Sequence, residues 1–363
     1  MKNTFGNNIS VTLFGESHGE AIGAVLDGVA SGITVNEDYI KNKLMLRRPC
    51  GEISTPRKET DNFKILSGVF NGKTTGTPIC LVIENNNTVS KDYNKDIMRP
   101  SHADYAAELK YNGFQDYRGG GHFSGRITAA LVAVGAILQA ALEDKGIFIG
   151  SHIKECANIK DAEFNNISEN IKLLNSLEFA VLDDKIKNSM VNAIIKAKNN
   201  GDSVGGILET AVIGIPGGIG EPWFDSVESV LSHALFSIPA IKGIEFGAGF
   251  EISKMLGSTA NDSFVINNGV VETKTNNNGG INGGITNGMP IIFRCAVKPT
   301  PSISVEQETI NIKDCANVKT QINGRHDPAI IHRARVVVDS VTAICIADLL
   351  ATKFGTDFLR NDK

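Results

Sequence analysis

The sequence predicts an α+β protein in which central helices lie between antiparallel sheets, so that the layers run sheet, helices, sheet. Two kinds of segment predict it. Short strand-like patterns bounded by Gly and Pro occur at residues 79–83 and 204–215. Long runs rich in Ala and Val occur at residues 124–142 and 334–351, with one charged residue in the first and three in the second. Helices so uniformly apolar must be buried on most faces, which a central layer provides.

A third observation is that the chain repeats itself. GESHG at residues 15–19, followed by Gly28 and Gly32-Ile33, recurs as GDSVG at residues 201–205, followed by Gly214 and Gly218-Ile219, at an offset of 186. TTGTPI at residues 74–79 recurs as TNGMPI at residues 286–291, at an offset of 212. We therefore predict one domain over residues 1–363 with an internal duplication, its pseudo-repeated halves spanning approximately 1–150 and 200–363. A connector rich in Lys and Asn near residues 153–200 joins them.

The remaining elements follow from local pattern. Residues 21–29 alternate like a strand, and residues 227–236 are a third helix candidate. The polar segment 261–282 is predicted to be a loop, and the Pro-punctuated segment 46–61 is not expected to be helical. A dinucleotide-binding Rossmann fold is excluded, because no G-x-G-x-x-G opens a helix with an acidic residue about 20 positions further on.

Composition limits the class of protein. The 363 residues carry a formal charge of −4, which argues against general affinity for nucleic acid or a membrane surface. The six cysteines show neither C-x-x-C nor zinc-ligand spacing, so we predict reduced thiols and no metal. No apolar stretch resembles a signal peptide or a membrane span, and a cytoplasmic location is expected.

Residues 99–126 have the composition of a ligand site. They hold three arginines, two histidines and three consecutive glycines. Glycines allow close approach of the backbone to a ligand, and guanidiniums fit phosphate and carboxylate oxygens. Ten of the eleven arginines lie between Arg47 and Arg126 or between Arg294 and Arg335. We expect an anionic, phosphorylated ligand.

GESHG also fits the G-x-S-x-G pattern of a serine hydrolase, with Ser17 as nucleophile. Only fourteen residues precede it, too few for an oxyanion loop, and a strand rather than a helix is predicted to follow. An ordinary turn at Ser17-His18 is a further alternative. A His between Ser and Gly also suits proton transfer to a ligand.

An ordered set of motifs resembles chorismate synthase from residue 15 to about residue 351. The set is GESHG, RRP, PRKETD, ILSGVFNGKTTGTPI, SKDY, RPSHADY, DYRGGG, GDSVGG, SHALFSIPAIKGIEFGAGF, GGINGGITNG, KPTPSI and GRHDP. The resemblance implies the fold of that family. It also implies the conversion of 5-enolpyruvylshikimate 3-phosphate to chorismate and phosphate by a formal anti-1,4-elimination. Members require reduced FMN although no net oxidation occurs.

The resemblance also implies partners and residue roles. NAD(P)H would reduce the flavin through an external flavin reductase, and the chain would form a homotetramer. His18 would protonate the departing phosphate, with Ser17 orienting it. His102 would donate a proton near the flavin pyrimidine edge, and Asp327 would work with the flavin N5 in removing the C6 proton. The predicted substrate-binding residues are Arg48, Arg57, Arg126 and Arg325, and the predicted FMN-binding residues are His122, Phe123, Ser124, Pro239, Ala240, Gly283, Lys298, Pro299, Thr300, Pro301, Ser302 and Arg325.

The chain departs from the common family pattern at several positions. His122-Phe123 stands where many members have Arg-Ser, Ser101 replaces a glycine, His332 replaces a proline and Asp339 replaces a glutamate. The altered flavin loop motivates an alternative, a catalytically degenerate protein that binds flavin or a phosphometabolite without turnover.

Overall fold

The computed structural model describes residues 2–49, 51–55, 60–86, 93–322 and 326–360. The α-helices are α1 (Glu37–Arg47), α2 (Asp104–Tyr111), α3 (Thr128–Asp144), α4 (Ile167–Leu174), α5 (Asp184–Asn199), α6 (Val227–Leu235), α7 (Gly257–Ala260) and α8 (Ile331–Phe354). The strands of the first half are β1 (Thr4–Phe5), β2 (Ser10–Gly15), β3 (Ala21–Asp27), β4 (Phe63–Ile65), β5 (Val69–Phe70), β6 (Lys73–Thr74) and β7 (Ile79–Glu84). The later strands are β8 (Phe148–Cys156), β9 (Ile159–Lys160), β10 (Gly206–Ile213), β11 (Ile241–Phe246), β12 (Phe264–Asn267), β13 (Val270–Thr273), β14 (Ile281–Asn282), β15 (Ile285–Thr286), β16 (Ile291–Val297), β17 (Gln307–Asn311) and β18 (Ala316–Thr320).

Two five-stranded antiparallel sheets frame the molecule. The first has the order β1-β2-β3-β7-β4 and the second the order β11-β16-β10-β8-β9. Four hairpins, β5-β6, β12-β13, β14-β15 and β17-β18, complete the described strands. The predicted strands at residues 21–29, 79–83 and 204–215 are observed as β3, β7 and β10.

Helices α3 and α8 form the layer between the sheets. They pack on each other, α3 also packs on β3 and β7, and α8 also packs on β8 and β10. The two helices approach closely at Gly135, where a Cβ would lie 2.6 Å from the Ser340 Cβ. Most side chains of both helices are buried, as their apolar composition predicts. The α+β prediction is therefore confirmed.

One span among the described residues, Gly125–Asp144, is apolar and long enough to cross a membrane by length and composition. Some 83% of its most apolar window is buried inside the fold. The core helix of a globular protein passes the same test.

The repeated motifs occupy matching places in the two sheets. Strand β3 and most of β10 are related by the offset of 186, and β7 and β16 by the offset of 212. Thr74 Oγ1 donates to the Ala30 carbonyl at 2.6 Å and accepts from Ile33 N–H at 2.9 Å. Thr286 Oγ1 donates to the Pro216 carbonyl at 2.7 Å and accepts from Ile219 N–H at 2.9 Å. The same threonine clasp thus closes the same turn in each half.

A row of charged side chains crosses the second sheet in register. Glu245 pairs with Arg294, Arg294 with Glu209, and Glu209 with His152 on neighbouring strands. His152 is fully buried, and its Nδ1 and Nε2 lie 2.7 and 3.0 Å from Asp161 and Glu209. Burial lowers the pKa of His152, but the hydrogen bonds to these two carboxylates outweigh burial and leave the pKa raised.

Three predictions of local structure are corrected. Segment 261–282 is not a plain loop, because β12 and β13 form a hairpin whose turn residues Asn268 and Gly269 both have positive φ. That Asn-Gly pair is a hairpin signal among other polar residues. Arg47 is the last residue of α1, so segment 46–61 begins inside a helix. The connector near 153–200 contains α4, α5, β9 and the last four residues of β8, which pairs with β10 inside the second sheet.

Candidate active site

The triple glycine folds directly over the Ser17-His18 turn. All three glycines have positive φ, and a Cβ on Gly119 would lie 2.6 Å from the His18 ring and 2.9 Å from Ser17 Oγ. Ser17 N–H donates to the Gly121 carbonyl at 3.1 Å. No other residue type could occupy position 119 without displacing His18. The two motifs therefore pack together as one unit.

His18 and Ser17 are held in a largely enclosed place. Their residues are 8% and 7% exposed, and the Tyr93 ring meets the His18 ring edge-on at 5.3 Å. The motif connects β2 to β3, which are antiparallel neighbours. A nucleophile elbow leads from a strand into a helix, so the structure argues against the serine hydrolase.

A second cluster surrounds His102. Its Nδ1 lies 3.0 Å from the Pro100 carbonyl, to which it must donate, and its Nε2 lies 2.7 Å from Ser302 Oγ. Burial, followed by the positive charge of Arg99, lowers the pKa of His102 to about 4. The ring is thus neutral at pH 7, and Nε2 accepts from Ser302. Donation from Nε2 requires a second proton on the ring, which a negative charge placed nearby would favour.

The segment from Lys298 to Ser302 is fastened to this cluster. Lys298 Nζ donates to the Ser101 carbonyl at 2.8 Å, and Lys298 N–H donates to the Ala240 carbonyl at 3.0 Å. Thr300 Oγ1 is buried and has no hydrogen-bond partner among the described residues. A buried hydroxyl without a partner indicates that a polar group belongs there.

A third cluster lines a cavity of about 220 Å³. Three guanidinium residues contribute to its wall, Arg47, Arg126 and Arg333, together with the carboxylate residue Asp327. Its other lining residues are Pro49, Thr55, Ser124, Gly125, Thr128, Ile238, Pro239, Ile330, Ala334 and Val337. A small cavity with several guanidiniums suits a compact polyanion.

The carboxylate of Asp61 forms ion pairs with several arginines beside this cavity. Its buried carboxylate contacts Arg126 Nη1, and it lies 3.4 Å from Arg47 Nη1 and 3.7 Å from Arg48 Nε. Burial raises the pKa of Asp61, but the charges of Arg47, Arg126 and Arg48 outweigh burial, so the pKa falls below its ordinary value. One carboxylate thus holds three guanidiniums in place.

Asp327 is fixed through both carboxylate oxygens. Thr55 N–H donates to Oδ1 at 3.0 Å, and Arg333 Nη1 contacts Oδ2. Arg333 Nε also donates to the Arg47 carbonyl at 2.9 Å. The start of α8 therefore ties Asp327 to the end of α1.

Hydrogen bonds join the three clusters into one region. Arg126 Nε donates to Asn85 Oδ1 at 3.0 Å, and Asn85 Nδ2 donates to the carbonyls of Glu16 and Gly19, both at 3.0 Å. The His102 cluster is linked through the chain, because Pro239 lines the cavity and the carbonyl of the next residue, Ala240, accepts from Lys298 N–H. The His18 turn and the His102 cluster are thus both connected to the arginine cavity.

Most predicted site residues meet in this region. His122 Nδ1 donates to the Gly15 carbonyl at 2.8 Å, and the exposed Phe123 packs edge-on against Tyr111. Gly283 is exposed in the turn between β14 and β15, and none of the described contacts joins it to the others. Arg57 and Arg325 lie outside the described residues. The remaining predicted positions are Ser124, on the cavity wall, and Pro299 and Pro301, beside Thr300.

The structure adds Arg333 and Asp61, which the sequence did not predict as site residues, and Arg47, which entered only as part of the RRP motif. Arg47 adjoins Arg48, and Asp61 ends the PRKETD motif, so both carried a weak sequence signal. Arg333 lies in the first turn of α8, whose sequence is typical of a buried helix. No local pattern distinguishes Arg333 as a site residue.

The family model of chorismate synthase matches residues 9–351 of the chain. The chain belongs to the chorismate synthase family. It is 45% identical over 347 residues to the chorismate synthase of Pyrococcus abyssi, covering 95% of this chain and 96% of that protein. It is 47% identical over 364 aligned positions to the chorismate synthase of Methanococcus vannielii, with 96% of each chain covered. A crystal structure of chorismate synthase superposes with a TM-score of 0.75 at 30% identity, covering 96% of this chain and 94% of the other.

Membership defines the class of enzyme. Chorismate synthases are carbon–oxygen lyases of the shikimate pathway, which leads to the aromatic amino acids. The resemblance seen in the ordered motifs, and the enzyme class that it implies, are confirmed.

Proposed function

We propose that this member of the chorismate synthase family eliminates phosphate from 5-enolpyruvylshikimate 3-phosphate in a formal anti-1,4 sense and requires reduced FMN without net redox change. The cavity that Arg47, Arg126, Arg333 and Asp327 line, beside the Ser17-His18 turn, is the observation that carries this proposal. These residues come from both halves of the chain and do not belong to one helix or strand. Their convergence on one cavity fits a site built for a polyanion.

The guanidiniums of the region suit the substrate. Four of them, from Arg47, Arg48, Arg126 and Arg333, contact the carboxylates of Asp61 and Asp327. Guanidiniums gathered in this way suit a ligand that carries one phosphate and two carboxylates. Arg57 and Arg325 belong to the same proposal as further substrate contacts.

In this proposal, different residues carry the two proton transfers. His18 would donate a proton to the departing phosphate, which stabilises the charge that builds up on the leaving oxygen. Ser17, whose Oγ lies against Gly119, would orient the leaving group. Asp327, held by Thr55 and Arg333, would take part in removing the C6 proton.

The residues present fit a flavin phosphate and ring. The buried Thr300 Oγ1 lacks a partner among the described residues, and Lys298 and Ser302 lie two positions away on either side of it in sequence. FMN would be held by these residues together with His122, Phe123, Ser124, Pro239, Ala240, Pro299, Pro301, Gly283 and Arg325. Reduced FMN would supply an electron-rich ring next to the substrate, and His102 would hold a proton at the edge of that ring. An external flavin reductase using NAD(P)H would supply the electrons.

The experiment is anaerobic release of phosphate from 5-enolpyruvylshikimate 3-phosphate with photoreduced FMN, run beside oxidised FMN. Phosphate release with reduced FMN, and none with oxidised FMN, supports the proposal. The degenerate binding protein predicts flavin and substrate binding without release, and that result would refute lyase activity. As a control for the rejected hydrolase, a fluorophosphonate probe should leave Ser17 unlabelled.

We further infer a single duplicated domain, a homotetramer and a cytoplasmic location. The matched threonine clasps and strand offsets support the duplication. Exposed apolar side chains such as Phe264 and Ile266 on β12, at 68% and 75% exposure, supply surface that assembly would bury. Light scattering on the purified chain tests the tetramer. The burial of the span Gly125–Asp144 fits a protein outside the membrane, and cell fractionation tests its location.

A further inference from the structure

His332 is a buried polar residue next to the cavity with only one described hydrogen bond. It is the second residue of α8, is 1% exposed, and stacks on Phe179 with ring centroids 6.2 Å apart. Its Nε2 lies 2.8 Å from Ser54 Oγ, and its Nδ1 has no described partner. Packing alone does not require this residue, since an apolar ring would stack on Phe179 as well.

The protonation state of the ring follows from its surroundings. Burial, reinforced by the charges of Arg333 and Arg335, lowers the pKa of His332 to about 3, so the ring is neutral at pH 7. A neutral ring carries one proton, and leaving a buried N–H unpaired is rarer than leaving an acceptor unpaired. We therefore assign the proton to Nε2, which donates to Ser54 Oγ.

Ser54 leads directly to Asp327. The next residue, Thr55, is buried and donates its N–H to Asp327 Oδ1 at 3.0 Å. Arg333, which follows His332 on α8, contacts Asp327 Oδ2. Two consecutive helical residues therefore act on the two oxygens of one carboxylate, Arg333 directly and His332 through Ser54 and Thr55.

We propose that His332 is a positioning residue for the elimination, and that it holds segment 51–55 so that the Thr55 N–H fixes Asp327 at the cavity wall. The inference rests on the proposed role of Asp327. Deleting the His332–Ser54 hydrogen bond allows Ser54 to move, and the adjacent Thr55 moves with it. Asp327 then loses the hydrogen bond from Thr55 N–H and keeps only its contact with Arg333 among the described restraints. A displacement of about 1 Å at a reacting group costs on the order of 100-fold in rate.

Turnover of three variants tests the proposal. His332→Leu and Ser54→Ala each remove the hydrogen bond and should lower kcat by about 10- to 100-fold, with KM for the substrate changed much less. His332→Gln keeps an N–H donor near the Nε2 position and should stay near the wild-type kcat. With substrate deuterated at C6, His332→Leu and Ser54→Ala should show a larger isotope effect than wild type, because proton removal becomes more rate-limiting. The double variant should lose no more than either single variant.

Hydrogen exchange separates this inference from the proposed function. Peptides that contain Thr55 should exchange faster in His332→Leu and Ser54→Ala than in wild type, while peptides from α3 keep their protection. Wild-type kcat in Ser54→Ala, or equal losses in His332→Gln and His332→Leu, would overturn the positioning role and leave the lyase intact. If the wild-type chain released no phosphate, unchanged exchange at Thr55 would still refute the linkage. Ser54→Ala removes one hydroxyl only, so the test stands if His332→Leu does not fold.

Discussion

Asp61→Asn removes a charge that three arginines share. Asparagine has nearly the same shape, accepts hydrogen bonds and tolerates the positive φ of 45° at this position, so the change isolates the charge. The side chain of Asp61 is fully buried, and those of Arg47, Arg126 and Arg48 are 4%, 9% and 32% exposed. Breaking a buried ion pair costs about 3–5 kcal/mol, because the partner is left charged and unpaired. We expect a loss of that size in the free energy of unfolding.

The pH dependence gives the same prediction an independent check. The pKa of Asp61 is lowered in the folded protein, so its stabilising effect is fully present above the ordinary value of 3.8 and is lost as the pH falls through the lower folded value. The stability difference between wild type and variant should therefore be constant near neutral pH and shrink in strong acid.

Urea unfolding at fixed chain concentration measures both effects, since a fixed concentration removes any contribution from assembly. The matched control is Asp357→Asn, which removes an exposed carboxylate 3.3 Å from Arg360 and should cost less than about 1 kcal/mol. If Asp61→Asn were as stable as this control, or if its deficit did not depend on pH, the three arginines would not depend on the Asp61 charge.

Three other predictions concern single residues. His18→Ala should lower kcat by about two orders of magnitude with flavin binding kept, measured by phosphate release and flavin fluorescence, and wild-type turnover would remove its proton-transfer role. Arg48→Ala should weaken substrate binding by about 1.5–3 kcal/mol in titration calorimetry, whereas Arg360→Ala should not; equal affinity in both would make Arg48 ordinary surface charge. His152 has a raised folded pKa, so its contribution to stability is full below its ordinary value of 6.5 and declines as the pH rises through the folded value. Urea unfolding of His152→Gln should lack this alkaline decline, and a variant that keeps it would assign the decline to another group.

The fold was predictable because its signals are local and repeated. Uniformly apolar helices, strands bounded by Gly and Pro, and two motif echoes each constrain the structure without knowledge of the rest. The Asn268-Gly269 turn was missed because a hairpin within a polar segment lacks the apolar alternation of a half-buried strand.

The site was predictable where the sequence contains residue types that would destabilise the fold unless they served a function. Three consecutive glycines with positive φ and clustered arginines carry such a cost, and both lie in the site. Arg333 and Asp61 were not predictable in this way, because a single charged residue at a helix start or after a basic run is ordinary. Their roles depend on which distant loops meet them, which the sequence does not encode locally.

The loops that lead into β3 and β10 lie at matching positions in the two halves and make different contacts. In the first half, this loop carries Ser17 and His18, over which Gly119 folds. At the equivalent positions in the second half, Ser203 Oγ donates to the Thr300 carbonyl at 2.7 Å and Val204 N–H donates to the Pro328 carbonyl at 2.8 Å, next to Asp327. Under the proposed roles of His18 and Asp327, the first loop would supply a reacting group and the second would support the segment that carries Asp327, so substitutions in either loop would disturb the same reaction.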